Sequence, residues 1–597
     1  MSIIPLGESI PSLTSHATSV SLPTWSDNVG YEEGQERVVS KMLIGYPRFF
    51  INKLIAAFAE DIVKRYGGPG QQAMLFPTSS CAQRCVKFML SRDGSPVVNQ
   101  ARILHLVLDA SQVAPKLLTK LSPSVSAVIF AKELFPLAKQ YWQHSGDGVS
   151  SRRAEFCHTL FLEGFLINRD ELQGLSNGYQ KPCKGPRRYQ KGSIDKTSLS
   201  ALNTASAPAV SESRESSQFV EERFGRNLDI SFVDSANSAI RRRIAGSLLG
   251  EIDLASTPSP SMSCNMRGVT GLTEDDIYLY PCGMNSIFHA HRMLLEVRGS
   301  MKSISFGFPY VDTLKILEKF GPGCLFYGNG SSEDLDDLEA RLKGGERFLA
   351  LFCEFPGNPM LKCPDLKRIR KLADTYDFAV VVDETIGNFI NVHVLPHADM
   401  VVSSLTKIFS GECNVMGGGS IFNPQGNYYA PLKKFADADY EDNYWAEDVI
   451  FMERNSRHFV SRIERINDNA EAICDVLRGH PLIKNVYYPK YNDTKCFYDD
   501  CKTPAGGYGG LLSFTFQTTA QAEAFFDRIE TAKGPSLGTN FTLTSPYVIL
   551  AHFLELDWAA QFGVPADLIR ISVGLEDMVD LRCRFAAALA AAEAVTA

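Results

Sequence analysis

The stretch "VVSSLTKIFSG", residues 401–411, sets two valines before Ser403, Ser404 and Thr406, then a lysine, Lys407, and then Gly411. The valines read as the end of a buried strand, so the hydroxyls and the amine fall where that strand meets its exit loop. In open α/β sheets, ligands gather outside the carboxyl ends of the strands. Hydroxyls there can donate to a phosphate, and a partly desolvated lysine is the side chain whose amine condenses with a carbonyl. Alone the string decides nothing, because Ser/Thr turns followed by a lysine are common.

Four more stretches bear on it. "YLYPCGMNSIFHAHR" ends a strand at Gly283 and opens a helix. Glycine lets backbone approach an anion, and the helix start supplies N–H donors and a positive dipole end. "VVVDET" ends another strand in Asp383, one strand–loop–strand step before Lys407, so both side chains can face one pocket. A buried carboxylate beside a pyridine nitrogen keeps it protonated and makes the ring an electron sink, although a helix cap is an equal reading of Asp383. "FGFPYVDT" offers Tyr310 for stacking on a flat heterocycle, or as a core aromatic. "CEFPGNP" puts Asn358 at another strand exit, where it could hold a carboxylate or simply make the turn before Pro359. In order, these describe a phosphate cup, a stacking ring, an acid for a ring nitrogen and a Schiff-base lysine.

The elements that must position them can be drawn from the pattern. From about residue 218, strands and amphipathic helices alternate through "SISFGFPYVDTLKILEKFG", "RFLALFCEFPGNPM", "CPDLKRIRKLADTYD" and "FAVVVDET". Continuous Val/Ile/Leu runs between such helices predict a mostly parallel sheet covered on both faces. After about 440 the pattern changes to a long helix, "FVSRIERINDNAEAICDVLRG", then "GGLLSFTF" and "LIRISVG", a smaller α+β domain over 441–597. Residues 1–178 read as a separate α/β extension, with "KLIAAFAEDIVKRYG" at helical spacing and "ARILHLVLDA" as a buried strand or short helix. Between them, 179–217 is poor in large apolar groups and reads as a flexible linker, leaving 218–440 as the ligand-binding large domain. "AMLFPTSSCAQRCVKFML" (73–90) echoes the rhythm of residues 277–294 without the Gly-Met pair, as a duplicated block or two coincident units would.

Composition narrows the function class. The 597 residues are too many for one core, and about two to four domains are expected. Apolar residues at 45% and charged residues at 21% suit a globular protein, and a net charge of −8 argues against nucleic-acid binding. The basic cluster "KPCKGPRRYQKG" (181–192) sits in the Ser-rich linker and reads as solvated. No apolar run reaches a membrane span, and the N-terminus lacks the pattern of a secretory or transit peptide. Fourteen scattered cysteines without CxxC pairs fit reduced thiols, so a cytoplasmic location is expected.

With these motifs in hand, the chain from about 218 to 590 resembles the Cys/Met-metabolism family of pyridoxal-phosphate enzymes, in particular its long fungal cystathionine γ-synthase branch. The resemblance runs through "EERFGRNL", "YPCGMNSIFHAH", "FGFPYVDTLKIL", "EFPGNPML", "VVVDETIGNF", "HADMVVSSLTKIFSG", "GPSLGTNF" and "LIRISVGLED", and extends to "SVSLPTWSDNVGYEEG" near the N-terminus. It implies the aspartate aminotransferase-like α/β fold (fold type I) with a seven-stranded sheet, and pyridoxal 5'-phosphate as cofactor. It implies that Lys407 carries the cofactor, that Gly283, Met284, Ser404 and Thr406 bind its phosphate, that Asp383 pairs with the ring nitrogen and that Tyr310 stacks on the ring. Arg570 would grip the substrate α-carboxylate, with Asn358 and Ser536 beside it. No metal is implied.

The family also lends a Tyr-x-Arg pair across its dimer interface, which makes a homodimer or homotetramer the expected assembly. The aligned stretch "EERFGRNL" keeps Arg223 but has Glu221 in place of the tyrosine, so Arg223 is expected on the phosphate and the tyrosine's role is in doubt. "GYPRFF" (Tyr46, Arg48) has the right spelling but precedes the degenerate echo, and it carries less weight. The implied reaction is γ-replacement on an O-acyl-L-homoserine, with Lys407 moving the protons. The nucleophile is left open between cysteine, sulfide and a carbon acid such as a β-keto acid. A sulfhydrylase or a cystathionine lyase is the alternative within the class, and a catalytically silent regulatory homologue the alternative outside it.

Overall fold

The computed structural model describes residues 4–47, 49–93, 97–109, 118, 121–171, 229–250 and 267–595. The linker expected over 179–217, the stretch with Glu221 and Arg223, and Arg48 lie outside these residues. Backbone contacts divide the chain into two units, one of Met1–Ala56, Lys139–Ser151 and Ser235–Ala597 and one of Ala57–Ala138 and Arg152–Asp234.

The smaller unit carries an antiparallel four-stranded sheet. Its strands β1 (Gln71–Phe76), β2 (Arg102–Leu108), β3 (Ser124–Ala131) and β4 (Leu166–Asn168) run in the order β1-β3-β2-β4. The "RILHLVL" stretch is thus a strand. β1 is followed by helix Ser79–Arg92, whose start is capped by the Thr78 side chain accepting from the Cys81 N–H. β1 and this helix give residues 73–90 the strand–turn–helix form that the echo predicts.

The larger unit holds the seven-stranded sheet. Its strands are β5 (Ile277–Tyr280), β6 (Ser303–Phe306), β7 (Cys324–Tyr327), β8 (Ala350–Glu354), β9 (Ala379–Asp383), β10 (Met400–Ser403) and β11 (Gly418–Phe422). They lie in the order β5-β11-β10-β9-β8-β6-β7. Pairs among β10, β9, β8, β6 and β7 are parallel, and β11 runs antiparallel to both β10 and β5. The central strands are apolar and buried on both sides, as Val380, Val381 and Val382 of β9 show. Helices between strands bury one stripe each. Leu366, Ile369, Leu372 and Ala373 face inward from helix Leu366–Tyr376, which Asp365 caps at the Arg368 N–H.

A second sheet in this unit, ordered β12-β13-β16-β15-β14, is built from β12 (Ile483–Tyr487), β13 (Leu511–Phe516), β14 (Ala532–Lys533), β15 (Leu543–Ser545) and β16 (Ile569–Ser572). Helix Phe459–Arg478 and helix Met578–Ala594 pack on it through Ile473, Leu477, Phe585 and Leu589. This is the α+β arrangement predicted after residue 440. The N-terminal segment belongs to the same unit. Ala17, Val20, Leu22, Val38, Met42 and Ile44 form one apolar cluster with Leu550.

Candidate active site

Strand ends of the large sheet carry Lys407, Asp383, Tyr310 and Asn358, while Ser536 and Arg570 come from the second sheet. β10 stops at Ser403, and the chain turns through Ser404 and Thr406 to Lys407, which is buried. The Lys407 Nζ donates to the Tyr46 Oη at 3.0 Å and to the Ser536 Oγ at 3.3 Å. It also lies 4.9 Å from the centre of the Tyr46 ring. The loop bearing Ser536 is held against the lysine by Gly538, which has φ +69°, and any Cβ there would fall 2.9 Å from the Lys407 Cβ.

Ser536 also ties the lysine to Arg570. Its carbonyl accepts from the Arg570 Nη2 at 2.8 Å, and the Pro535 carbonyl accepts from the same nitrogen at 3.1 Å. The Asn358 Oδ1 accepts from Nη1 at 3.1 Å. The guanidinium sits 4.5 Å from the centre of the Tyr547 ring. Burial pulls its pKa down, while the phenols of Tyr547, Tyr46 and Tyr310 act the other way. Every oxygen that Arg570 touches among the described residues is neutral. A buried cation without a counter-ion is costly, and a planar fork is shaped for a carboxylate.

Helix Gly283–Arg298 starts beside this loop. A Cβ on Gly283 would fall 2.6 Å from the Ser404 Cβ and 2.9 Å from its Oγ, so the first helical turn rests directly on Ser404. The Gly283 and Met284 N–H groups stand at this helix start, where the Cys282 thiol lies against the Met284 and Asn285 N–H groups. The Ser404 N–H donates to the Thr385 Oγ1 at 2.8 Å, and among the described residues its own hydroxyl has no hydrogen-bond partner. Thr406 is placed differently. Its hydroxyl donates to the Gly417 carbonyl at 3.2 Å and accepts from the Gly417 N–H at 3.1 Å.

A segment that the sequence did not single out packs on the same helical turn. The Asn285 side chain donates to the Ser145 carbonyl at 2.9 Å and to the Asp147 carboxylate at 2.8 Å. Gly146, at φ +66°, comes so close that a Cβ would fall 2.8 Å from the Asn285 N. Tyr141 donates to the other oxygen of Asp147 at 2.5 Å.

Asp383 ends β9, where its Oδ1 accepts from the Thr385 N–H at 2.9 Å and from the Thr385 hydroxyl at 2.6 Å. Its Oδ2 has no hydrogen-bond partner among the described residues. Beside it, in register on β8, stands Glu354. Glu354 accepts from the Tyr310 N–H with one oxygen and from the Asn358 N–H, at 3.0 Å, with the other. Both carboxyls line one small cavity with Ile287, Ser305, Thr313 and Val402. Burial, and next the Asp383 charge, push the Glu354 carboxyl up to about 8. Burial raises Asp383 as well, against the two bonds from Thr385. No lysine or arginine among the described residues pairs with either carboxyl.

Sequence reasoning passed over Glu354, although it stands in "CEFPGNP" and ends its strand in an acid as β9 does. It also gave Tyr46 the smaller weight, and the structure puts that phenol on Lys407. Arg223 lies outside the described residues. Lys407, Ser536, Arg570, Asn358, Tyr310 and Asp383 are linked by direct bonds or through Glu354, and Gly283 meets the same loop at Ser404.

Residues 272–590 match the family described as Cys/Met metabolism PLP-dependent enzyme, and residues 54–150 match the fungal trans-sulfuration enzyme N-terminal domain. The chain is 60% identical to cystathionine γ-synthase of Neurospora crassa, with 98% of each chain covered. It is 42% identical to the cystathionine γ-synthase-like enzyme iboG2 of Amanita muscaria, over 99% of this chain and 97% of that one. Against cystathionine γ-synthase of Saccharomyces cerevisiae the identity is 38%, with 97% of each covered. An amine beyond β10, a buried guanidinium on β16 and an acid at the end of β9 are what such chemistry requires, and the chain belongs to the Cys/Met metabolism family of pyridoxal-phosphate-dependent enzymes.

Proposed function

We propose that the chain replaces the acyloxy group of an O-acyl-L-homoserine with the sulfur of L-cysteine, giving cystathionine. The observation that carries this reading is the buried Arg570 fork, which among the described residues touches only neutral oxygens and is joined to Lys407 through Ser536. An α-amino acid whose carboxylate met Arg570 would bring its amine and Cα toward the lysine. The named activity of the Neurospora and Saccharomyces relatives supports cysteine as acceptor.

Two features fit pyridoxal phosphate. The acids at the ends of β8 and β9 have no cation partner among the described residues, which suits a protonated ring nitrogen at Asp383. The helix start at Gly283, packed on Ser404 without room for a Cβ, suits a phosphate. Gly283, Met284 and Ser404 would hold that phosphate. Thr406 would join them on releasing the Gly417 carbonyl, and Arg223 is proposed as a further phosphate ligand. Tyr310 is proposed to stack on the ring.

When bound, pyridoxal phosphate supplies an aldehyde for the substrate amine and a ring that draws electrons from Cα and Cβ. Arg570 and Asn358 fix the carboxylate and so orient Cα toward Lys407. The Lys407 Nζ takes the proton from Cα and then one from Cβ, and returns them in reverse order after exchange at Cγ. The Cγ–O bond breaks with its electron pair leaving on the carboxylate, a Cγ–S bond forms, and the thiol proton is released. We place the enzyme in the cytoplasm, as a homodimer or homotetramer.

Product analysis tests the reading. O-acetylhomoserine offered with cysteine, sulfide or a β-keto acid should give cystathionine fastest. Products from sulfide or the carbon acid, with none from cysteine, would overturn it.

A further inference from the structure

We infer that Asp147 is a positioning residue for the cofactor phosphate, acting through the Asn285 side chain on the first turn of helix Gly283–Arg298. The inference rests on the phosphate site proposed at Gly283, Met284 and Ser404. Asp147 stands 138 residues before Asn285 in the chain, yet the two side chains are bonded and both are buried.

Asn285 is the third residue of the helix, directly after Gly283 and Met284. Its amide nitrogen gives both hydrogens to one turn of the chain, one to the Ser145 carbonyl at 2.9 Å and one to the Asp147 Oδ1 at 2.8 Å. An amide with both hydrogens committed is fixed in rotation. The carboxylate is held in turn. Its Oδ2 accepts from the Tyr141 hydroxyl at 2.5 Å, and the Asp147 N–H donates to the Ser145 Oγ at 3.2 Å. The His289 Nε2, one turn further along the helix, lies 3.4 Å from the Asp147 Oδ1.

Gly146 closes the turn against the helix. At φ +66°, a Cβ there would fall 2.7 Å from the Cys282 Sγ, whose thiol donates to the Gly146 carbonyl at 3.7 Å. The turn therefore grips the chain on either side of Gly283 and Met284, at Cys282 and at Asn285. It has a second anchorage. The Lys319 Nζ donates to the His144 Nε2 at 3.0 Å, and the His144 Nδ1 lies 3.1 Å from the Asp312 Oδ1. The Tyr141 ring meets Phe288 and Phe320 edge-on, with centres 6.2 and 6.0 Å away. Hydrogen bonds weaken steeply as distance and angle depart from their optimum. A first turn released from this grip would hold a phosphate less well and leave the ring end of the cofactor undisturbed.

Comparing two ligands tests this apart from turnover. Full-length protein freed of cofactor is titrated by equilibrium dialysis with pyridoxal phosphate and with pyridoxal, which lacks the phosphate. Asp147→Ala should weaken pyridoxal phosphate at least about tenfold and pyridoxal by less than about twofold. Asn285→Ala leaves the turn itself whole and should reproduce the selective loss. Because the two residues act as one unit, the double variant should lose no more than either single one. Equal losses for both ligands would mark a general structural defect, and additive losses would mean that Asp147 does not act through Asn285; either overturns the inference. Gly283→Ala separates it from the reading on which it rests. A phosphate-selective loss in Gly283→Ala without one in Asp147→Ala overturns the inference alone, and no selective loss in any variant overturns the phosphate site with it.

Discussion

Glu354 and Asp383 end neighbouring parallel strands at paired positions, and the Tyr310 and Asn358 N–H groups converge on Glu354 while, among the described residues, only Thr385 donates to Asp383. One carboxylate therefore ties together the proposed ring-stacking loop and the proposed substrate loop, and keeps the other acid short of hydrogen bonds.

The pair makes the cofactor-free protein sensitive to pH. Folded Glu354 holds its proton up to about pH 8, whereas an unfolded glutamate releases it near about 4.3. Between those values the folded state binds more protons, so stability falls as pH rises and levels off above about 8. Glu384, buried and also pushed up to about 8, acts in the same direction. Glu354→Gln should shrink the loss in unfolding free energy between about pH 5 and 8, measured in urea, by at least the ~1.4 kcal/mol that one pH unit represents. An unchanged loss would mean that Glu354 is ionised throughout.

Asp383→Asn should lower kcat by at least about a hundredfold while cofactor occupancy stays near wild type. A neutral amide cannot hold a ring nitrogen protonated, but it keeps the bonds from Thr385. Absorbance gives occupancy and single-turnover kinetics the rate. Near wild-type turnover would leave Asp383 as a loop cap.

Arg570→Lys retains the charge and loses the fork. KM for the O-acylhomoserine should rise about ten- to a hundredfold, with a smaller change in kcat. A change confined to kcat would remove Arg570 from carboxylate binding.

Gly283→Ala should weaken pyridoxal phosphate binding at least about tenfold, because the new methyl collides with Ser404 where the phosphate is proposed to sit. Equilibrium dialysis measures it, and unaltered affinity would move the phosphate elsewhere.

Much of this site was legible because its residues stand at the ends of strands whose apolar runs are unmistakable. "VVVDET" and "VVSSLTK" place Asp383 at the end of one strand and Lys407 just beyond the end of the next, and β9 and β10 pair in parallel. Less legible were the contacts set by long-range packing. Tyr46 reaches Lys407 only because residues 17–44 fold onto the second sheet, which no local pattern in "GYPRFF" records. Asp147 and Gly146 reach the Gly283 helix from a stretch with no motif of its own. Glu354 was visible, but its partners are backbone N–H groups, which leave no trace in residue types.

The most direct test of the account is where the cofactor is attached. Holoenzyme reduced with borohydride and digested should carry the phosphopyridoxyl group on the peptide holding Lys407, and Lys407→Ala should abolish turnover while still binding pyridoxal phosphate without a covalent link. The label on any other lysine, or turnover surviving in Lys407→Ala, would contradict it.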